Sequence, residues 1–405
     1  MGLQSLKLGV LILMVISVAI NYIDRGTLSI AAPLLSAELR LSPAQLGMLF
    51  SAFFWSYALL QIFSGWLADR YNVIWVMAIG FFIWSAATAV TGMVNTISFL
   101  FLLRLLLGVG ESVAYPCYSK IIVSNYPEHQ RGLANALIDA GTKVGPALGT
   151  LIGGILMARF GWRPIFIFLG LDSLLWIPAW FKWTPRGSIA GQTVIGKGPG
   201  FREILAQRSV WATSVGHFCG NYFWYFLLTW LPFYLVRERG FTMDNMAIVG
   251  SLAYCVTAIS TTITGWLADR AIAAGHTPTR IRKRCTVTGL TLASFVLAVV
   301  IIPGSAASMA ILMFACFSYG IFTSSHWAIT QTIAGPSAAG KWSGLQNSFA
   351  NMAGIAAPAI TGFVVDKTGQ FFWAFVVSAI VVLIGASTYA FFLGPVEPLK
   401  WNTKS

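Results

Sequence analysis

Seven ionisable side chains lie inside long apolar runs in the first half of the sequence. They are Asp24, Arg25, Arg104, Glu111, Asp139, Lys143 and Asp172. A charge at the centre of a bilayer costs at least ~2.5–3.5 kcal/mol on insertion scales, so residues of this kind are candidates for ligand binding or proton transfer. The second half carries no Asp, Glu, Lys or Arg deep within an apolar run. Ligand binding and proton transfer by charged side chains are therefore expected in the first half.

Depth along the helices suggests how these charges pair. A rise of about 1.5 Å per residue places Asp24, Arg25 and Arg104 at one level, which predicts a pair between Asp24 and Arg104. Arg25 is then left without a dedicated partner. Its planar guanidinium fits a carboxylate bidentately, so it is a candidate for binding an anion. Alternatively, Asp24 or Glu111 holds Arg25 and the pair only joins helices.

Lys143 has two candidate partners. Glu111 is expected at a similar depth, and Asp139 lies one turn away on the same helix face. A pair of Lys143 with Asp139 would neutralise both charges, whereas an available Lys143 would bind a second acidic group. Asp172 is not assigned a role.

Buried carboxylates take up protons more readily than exposed ones. Asp24 and Glu111 are therefore candidate proton acceptors. Protonation of Asp24 would free Arg104 or reposition Arg25, which would couple a proton to an anion. Alternatively, one of the two carboxylates belongs to a permanent ion pair.

Neutral polar side chains at helical spacing could bind hydroxyl groups. The proposed substrate-binding set, with Arg25 and Lys143, consists of Tyr57, Tyr115, Asn221, Ser324, Trp327, Gln331 and Asn347. Any one of these could instead be a hydrogen-bonding contact between helices, worth ~0.6 kcal/mol. His217 and His326 are either proton-active or ordinary buried hydrogen-bonding residues.

The composition of the sequence indicates what kind of protein carries these residues. The 405 residues are 57% hydrophobic and 10% charged, where soluble domains carry roughly 25% charged residues. This excludes a soluble enzyme and a nucleic-acid-binding protein, although the net charge is +13. Twelve segments are long enough to span a bilayer as helices. They are roughly 8–34, 43–68, 73–93, 97–123, 130–158, 163–182, 209–236, 245–268, 284–303, 307–334, 342–365 and 371–394.

The cations indicate the orientation of these spans. With a cytoplasmic N-terminus, 17 of the 26 Lys and Arg residues fall on the cytoplasmic side and 6 on the outer side. Positive residues concentrate on the cytoplasmic side of membrane proteins. Both termini are therefore expected in the cytoplasm, in a multi-pass plasma membrane or bacterial inner membrane.

A repeated hexapeptide divides the spans into two sets of six. Gly-Trp-Leu-Ala-Asp-Arg occurs at 65–70 and again at 265–270, and the Gly-rich stretch 183–208 lies between the sets. The expected organisation is a six-helix bundle 1–182, a cytoplasmic linker 183–208 and a six-helix bundle 209–405, with a substrate cavity between the halves. Asp69, Arg70, Asp269 and Arg270 at the helix ends are expected to act as gate charges, through partners in the opposite bundle.

These motifs resemble a known family. The hexapeptide and Arg104-x3-Gly108-x-Gly110 resemble the major facilitator superfamily, although Asn72-Val73-Ile74 replaces the usual Gly-Arg-Lys continuation. Asn21-Tyr22-x-Asp24-Arg25, followed by Glu111, resembles its anion:cation symporter family, which includes galactonate, glucarate and hexuronate transporters.

The resemblance implies an all-α membrane fold of twelve helices in two pseudo-symmetric bundles. It also implies that Arg25 binds the substrate carboxylate and that Asp24 and Glu111, with Arg104, couple protons. Ser324, Trp327 and Asn347 fall where the family's substrate-contacting polar residues lie.

The sequence thus predicts a secondary transporter that takes up an organic anion with protons by alternating access. A sugar acid (hexonate, hexuronate or aldarate) is the favoured substrate. The alternatives are an importer of aromatic or other carboxylates and an exporting proton antiporter. We expect no enzyme activity, no metal, no cofactor beyond the proton gradient and no nucleic-acid partner. The expected partners are the substrate anion, protons and the lipid bilayer, and the expected state is a monomer.

Overall fold

The computed structural model describes residues 3–125, 128–184 and 199–401, and within these ranges the chain is helical and contains no β-strand. The first half contains six long helices. They are α1 (Leu3–Leu39), α2 (Pro43–Arg70), α3 (Val73–Thr91), α4 (Ile97–Ile122), α5 (Glu128–Phe160) and α6 (Trp162–Trp183).

The second half also contains six long helices. Its helices are α7 (Arg208–Arg237), α8 (Met243–Ala273), α9 (Pro278–Ile301), α10 (Ser305–Gly335), α11 (Lys341–Thr368) and α12 (Phe372–Phe392). Among the residues that the structure describes, ten of the twelve helices, all except α5 and α7, are long and apolar enough to cross a membrane. The predicted all-α membrane fold with twelve long helices is confirmed.

Local sequence signals explain where helices begin and break. Ser42 caps α2: its hydroxyl accepts from the Gln45 N–H, the Gln45 side chain accepts from the Ser42 N–H, and Pro43 follows at the first helical position. The helices α10 and α11 are separated at Gly335, whose φ of 65° is available to glycine at little cost.

The chain divides into two compact units. The first unit comprises Met1–Val194 and Leu228–Ser251, and the second comprises Ile195–Leu227 and Leu252–Ser405. The division into bundles 1–182 and 209–405 with a linker 183–208 stays a prediction. Most of that linker, 185–198, lies outside the described residues.

Small residues bring helices of the first unit close together. A Cβ added to Gly141 would lie 2.5 Å from Val18 Cγ1, and one added to Gly145 would lie 2.7 Å from the Ala19 carbonyl oxygen. This close packing of α5 on α1 holds the polar turn of α1, which follows Ala19, in a fixed position inside the unit.

Candidate functional site

A polar turn in the middle of α1 is buried in the first unit. Asn21, Asp24 and Arg25 are 1%, 1% and 8% exposed. Their i, i+3 and i+4 spacing places them on neighbouring parts of one helix surface. Glu111 and Arg104 of α4 are also buried. The structure thus buries four of the seven predicted charged residues inside the first unit.

Arg25 forms a buried salt bridge with Glu111. Arg25 Nε lies 2.7 Å from Glu111 Oε2, and the two side chains are 4% and 0% exposed. The prediction that Arg25 lacks a dedicated partner is therefore wrong, and the alternative pairing with Glu111 is the one observed. The physical reason is that helix packing places Glu111 of α4 within 2.7 Å of Arg25, whereas Lys143 pairs on its own helix.

Three aromatic rings surround the Arg25 guanidinium. Its central carbon lies 4.7 Å from the ring centroid of Tyr22, 4.8 Å from that of Phe53 and 4.5 Å from that of Tyr57. Phe53 and Tyr57 stack on each other with centroids 5.2 Å apart. Aromatic faces stabilise a desolvated cation, so these rings help to keep Arg25 charged inside the unit. Phe53 was not among the residues predicted for the site, although its i, i+4 spacing places it on one helix face with Tyr57.

Asp24 and Arg104 interact, but not as the predicted close pair. Arg104 interacts electrostatically with both Glu111 and Asp24. Among the residues that the structure describes, neither Asp24 carboxylate oxygen has a hydrogen-bond partner, although Thr88 of α3 lies beside it. The predicted exclusive pair is corrected, because one cation is shared between two carboxylates.

Lys143 is paired with Asp139, one of its two predicted partners. Lys143 Nζ lies 3.0 Å from Asp139 Oδ1 and 2.9 Å from the Thr142 hydroxyl. The side chains of Lys143 and Asp139 are 26% and 64% exposed. This pair is thus far more accessible than the pair of Arg25 with Glu111.

The two predicted tyrosines lie in the same region of the first unit. Tyr57 is buried against Arg25. Tyr115 is half-buried, with its ring centroid 5.7 Å from that of Tyr118, and it lies in the neighbourhood of Tyr57 and Arg25. A break in α4 between Glu111 and Ala114 precedes Pro116, which cannot donate a helical hydrogen bond.

The predicted neutral residues of the second unit lie on three helices. Asn221 of α7 donates to the Ala350 carbonyl at 3.4 Å. Ser324 of α10 donates to the Ile321 carbonyl at 2.7 Å. Asn347 of α11 accepts, through its carbonyl, from the Asn351 side chain at 3.0 Å. Part of this set thus also serves helix packing.

Trp327 and Gln331 of α10 have different surroundings. Trp327 is half-buried, with its ring centroid 4.9 Å from that of His217 and 5.2 Å from that of His326. Gln331, about one helical turn further on, is exposed. The contact of Trp327 with two histidines was not foreseen, because nothing in the sequence relates α7 to α10.

Comparison with known proteins decides the family. The sequence matches the profile of the Major Facilitator Superfamily over residues 14–358. The chain belongs to this superfamily.

Relatives agree with this assignment along nearly the whole chain. A hexuronate transporter of Bacillus subtilis is 28% identical, covering 96% of this chain and 95% of its own. A probable sulfoacetate transporter of Cupriavidus necator is 30% identical, covering 95% and 92%. The crystal structure of a bacterial homolog of the human lysosomal transporter Spinster has a TM-score of 0.81 at 20% identity, covering 94% of this chain and 95% of its own, and shares the fold. The protein is therefore a multi-pass membrane transporter and not an enzyme.

The gate charges of this major facilitator are at least partly paired within their own unit. Asp269 Oδ1 accepts from Arg282 Nη2 at 2.5 Å, in the second unit, whereas a partner in the opposite bundle was expected. Arg270 lies over the Trp266 ring, 5.3 Å from its centroid. Arg70 is exposed, and the side chain of Asp69 lies outside the described residues. The gating role stays a prediction.

Proposed function

We propose that this transporter takes up an organic anion together with protons, and that a sugar acid is its substrate class. The observation that carries the proposal is the buried salt bridge between Arg25 and Glu111. Such a pair can be divided only if each partner finds a substitute, because an unpaired buried charge is strongly unfavourable. A proton on Glu111 and a carboxylate on Arg25 are the two matching substitutes.

The coupling follows from this exchange of partners. When Glu111 takes up a proton it becomes neutral, and the Arg25 guanidinium then favours an incoming anion. An anion bound to Arg25 would in turn favour a proton on Glu111, because coupling between two bound ligands is reciprocal. One proton and one negative charge would thus enter together. Asp24, which interacts with the same Arg104 as Glu111 does, is proposed as the second proton-coupling residue.

The substrate class rests on the relatives and on neutral polar residues. The relatives are named as transporters of hexuronate and, for the second, probably of sulfoacetate, and both compounds are carboxylates. Tyr57 and Tyr115 of the first unit are proposed to contact the substrate. The proposed residues of the second unit supply hydroxyl, amide and indole groups, which suit a polyhydroxy acid. They are Asn221, Ser324, Trp327, Gln331 and Asn347.

The proposal includes dianionic substrates because of Lys143. It is partly exposed beside Asp139, so its ammonium group could turn from this surface pair to a second acidic group of the substrate. Aldarates and sulfoacetate carry two such groups, whereas hexuronates carry one. We propose that Lys143 decides between these substrates.

The cellular setting completes the proposal. The transporter is proposed to work by alternating access in the bacterial inner membrane. Both termini are proposed to lie in the cytoplasm, because that orientation places most cations on the cytoplasmic side.

The test is a ligand screen followed by uptake. Purified protein is heated with hexonates, hexuronates, aldarates, sulfoacetate, aromatic acids and neutral sugars at acidic and neutral pH. Uptake of the stabilising compounds into proteoliposomes is then measured with and without an inward proton gradient, using a protonophore as the control. We expect stabilisation by sugar acids and accumulation that the protonophore abolishes. Stabilisation by aromatic acids alone, or accumulation independent of the gradient, would contradict the proposal.

A further inference from the structure

A pair of buried histidines lies in the second unit and has no part in the function proposed above. His217 of α7 and His326 of α10 have ring centroids 4.5 Å apart, with an angle of 50° between the ring planes. Their exposures are 4% and 6%. Histidine is the side chain whose charge ordinarily changes between about pH 5 and 8. Two such rings in contact inside the second unit form a distinct ionisable group.

Hydrogen bonds fix which nitrogen of each neutral ring carries hydrogen. His326 Nδ1 lies 3.0 Å from the Thr323 carbonyl oxygen, which can only accept, so this nitrogen is protonated. His217 Nδ1 lies 3.3 Å from Gln346 Nε2, which can only donate, so this nitrogen carries the lone pair. The basic nitrogens of the pair are therefore His217 Nδ1 and His326 Nε2.

Aromatic rings enclose the pair and favour one positive charge. Phe322 stacks on His326 with centroids 5.0 Å apart and an interplanar angle of 21°. Trp327 lies against both imidazoles, nearly perpendicular to that of His217. The face of an aromatic ring attracts a cation. A proton on the pair would therefore be stabilised without a carboxylate.

Other titratable groups on the packed helices are not alternative proton sites to the histidine pair. Cys219 of α7, Tyr319 of α10 and Tyr389 of α12 are buried and are neutral groups near pH 7. Lys283 of α9 donates to the Leu393 carbonyl at 2.8 Å, and Lys341 of α11 donates to the Pro199 carbonyl at 2.9 Å. Both ammonium groups are thus directed to main-chain oxygens near the ends of their helices.

We propose that His217 and His326 together bind one proton, as a proton site of the second unit separate from the carboxylates of the first unit. Two imidazolium ions in ring contact repel each other, so the second proton would bind only at much lower pH. The pair therefore titrates as a single group with one charge.

Protonation of His217 would change the direction of the hydrogen bonds in the chain that begins at this residue. Gln346 Oε1 accepts from the Thr330 hydroxyl at 2.6 Å, and that hydroxyl also lies 3.3 Å from the His326 carbonyl oxygen. When His217 Nδ1 gains a proton it becomes a donor, so the Gln346 amide must rotate and present its oxygen. Its NH2 group then faces the Thr330 hydroxyl, which accepts and turns its own hydrogen to the His326 carbonyl. Protonation thus reverses a chain that joins α7, α10 and α11.

The test uses the small number of histidines. The chain contains four, so 15N-histidine labelling of the full-length protein in detergent or nanodiscs gives four ring spin systems. His217→Gln and His326→Gln assign the pair, and exposed His276→Gln is the matched control. A titration between about pH 5 and 8 should show His217 and His326 sharing one proton. In each single variant the remaining histidine should take up a whole proton on its own, whereas in the wild type the two rings share the first proton.

Two results would overturn the proposal. Both histidines could stay neutral to pH 5, or each could take up a full proton independently of the other. The wild-type titration decides between these results even if a variant fails to fold. It needs no substrate and no transport, so its outcome is separate from that of the proposed function. Gln346→Leu, which removes the hydrogen bond to His217, should shift the midpoint by about one pH unit, whereas His276→Gln should leave it unchanged.

Discussion

Arg25 of α1 and Glu111 of α4 meet in a salt bridge of 2.7 Å although 86 residues separate them in the sequence. Both side chains are buried, and Tyr22, Phe53 and Tyr57 enclose the guanidinium. The pair is fully desolvated and joins two helices. The proposed transport cycle depends on the separation of this pair by a proton that binds Glu111 and an anion that binds Arg25.

Arg25→Lys should greatly weaken substrate binding even though it keeps the positive charge. Lysine cannot form two parallel hydrogen bonds to a carboxylate, and a charge-assisted hydrogen bond is worth about 1.5–3 kcal/mol, roughly a 10- to 100-fold loss in affinity. Calorimetric titration with the stabilising acid measures this loss. Arg202→Lys, at an exposed position, is the matched control. Unchanged affinity in Arg25→Lys would show that Arg25 is not a bidentate carboxylate ligand.

Glu111→Gln should uncouple substrate binding from pH. Glutamine resembles the protonated carboxyl group, so Arg25 is released from its partner at every pH. In the wild type, a falling pH protonates Glu111 and strengthens anion binding, by up to about tenfold per pH unit for one coupled proton. In the variant the part of this slope that the Glu111 carboxylate contributes should vanish.

Transport assays provide a second measurement of Glu111→Gln. Exchange of labelled for unlabelled substrate across the membrane should persist, whereas accumulation driven by a proton gradient should be lost. If accumulation survives in the variant, Glu111 does not lie on the coupling path.

Lys143→Met should affect dianions more than monoanions. Lys143 is partly exposed beside Asp139, where an ionic contact is worth up to about 1 kcal/mol, or roughly fivefold in affinity. We expect a loss of this size for aldarates or sulfoacetate and little change for hexuronates. Asp139→Asn, which removes the partner and leaves Lys143 available, should have the opposite effect. Equal losses for both substrate types would reduce Lys143 to a structural partner of Asp139.

Gly145→Ala should destabilise the first unit without any direct effect on chemistry. The added Cβ would lie 2.7 Å from the Ala19 carbonyl oxygen, so α1 and α5 must move apart. Overpacking of this kind costs about 1–3 kcal/mol, and the thermal midpoint of the purified protein should fall. Gly153→Ala on the same helix is the control, because its nearest contact would be 3.8 Å away. Equal midpoints in the two variants would show that the close approach at Gly145 does not limit stability.

Local and periodic features were readable from the sequence. Long apolar runs require helices, since a backbone in lipid must satisfy its own hydrogen bonds. The capped start of α2 at Ser42 follows from a residue spacing within one turn. The pair of Lys143 with Asp139 was one of two predicted options because i and i+4 share a helix face.

The remaining partners depend on which helices are neighbours, and spacing along the chain does not give this. Depth alone suggested that Asp24 pairs with Arg104 and that Arg25 has no dedicated partner. The packing of α1, α4 and α5 instead joined Arg25 to Glu111 and left Arg104 shared between two carboxylates.

The sequence by itself thus determined the membrane fold, the superfamily and the set of charged residues from which the first unit buries four. Only the tertiary structure decided which charged side chains pair with each other and that His217 contacts His326. The reason is physical: helix formation follows from nearby residues, whereas the partner of a buried charge is the group that helix packing places within a few ångströms of it.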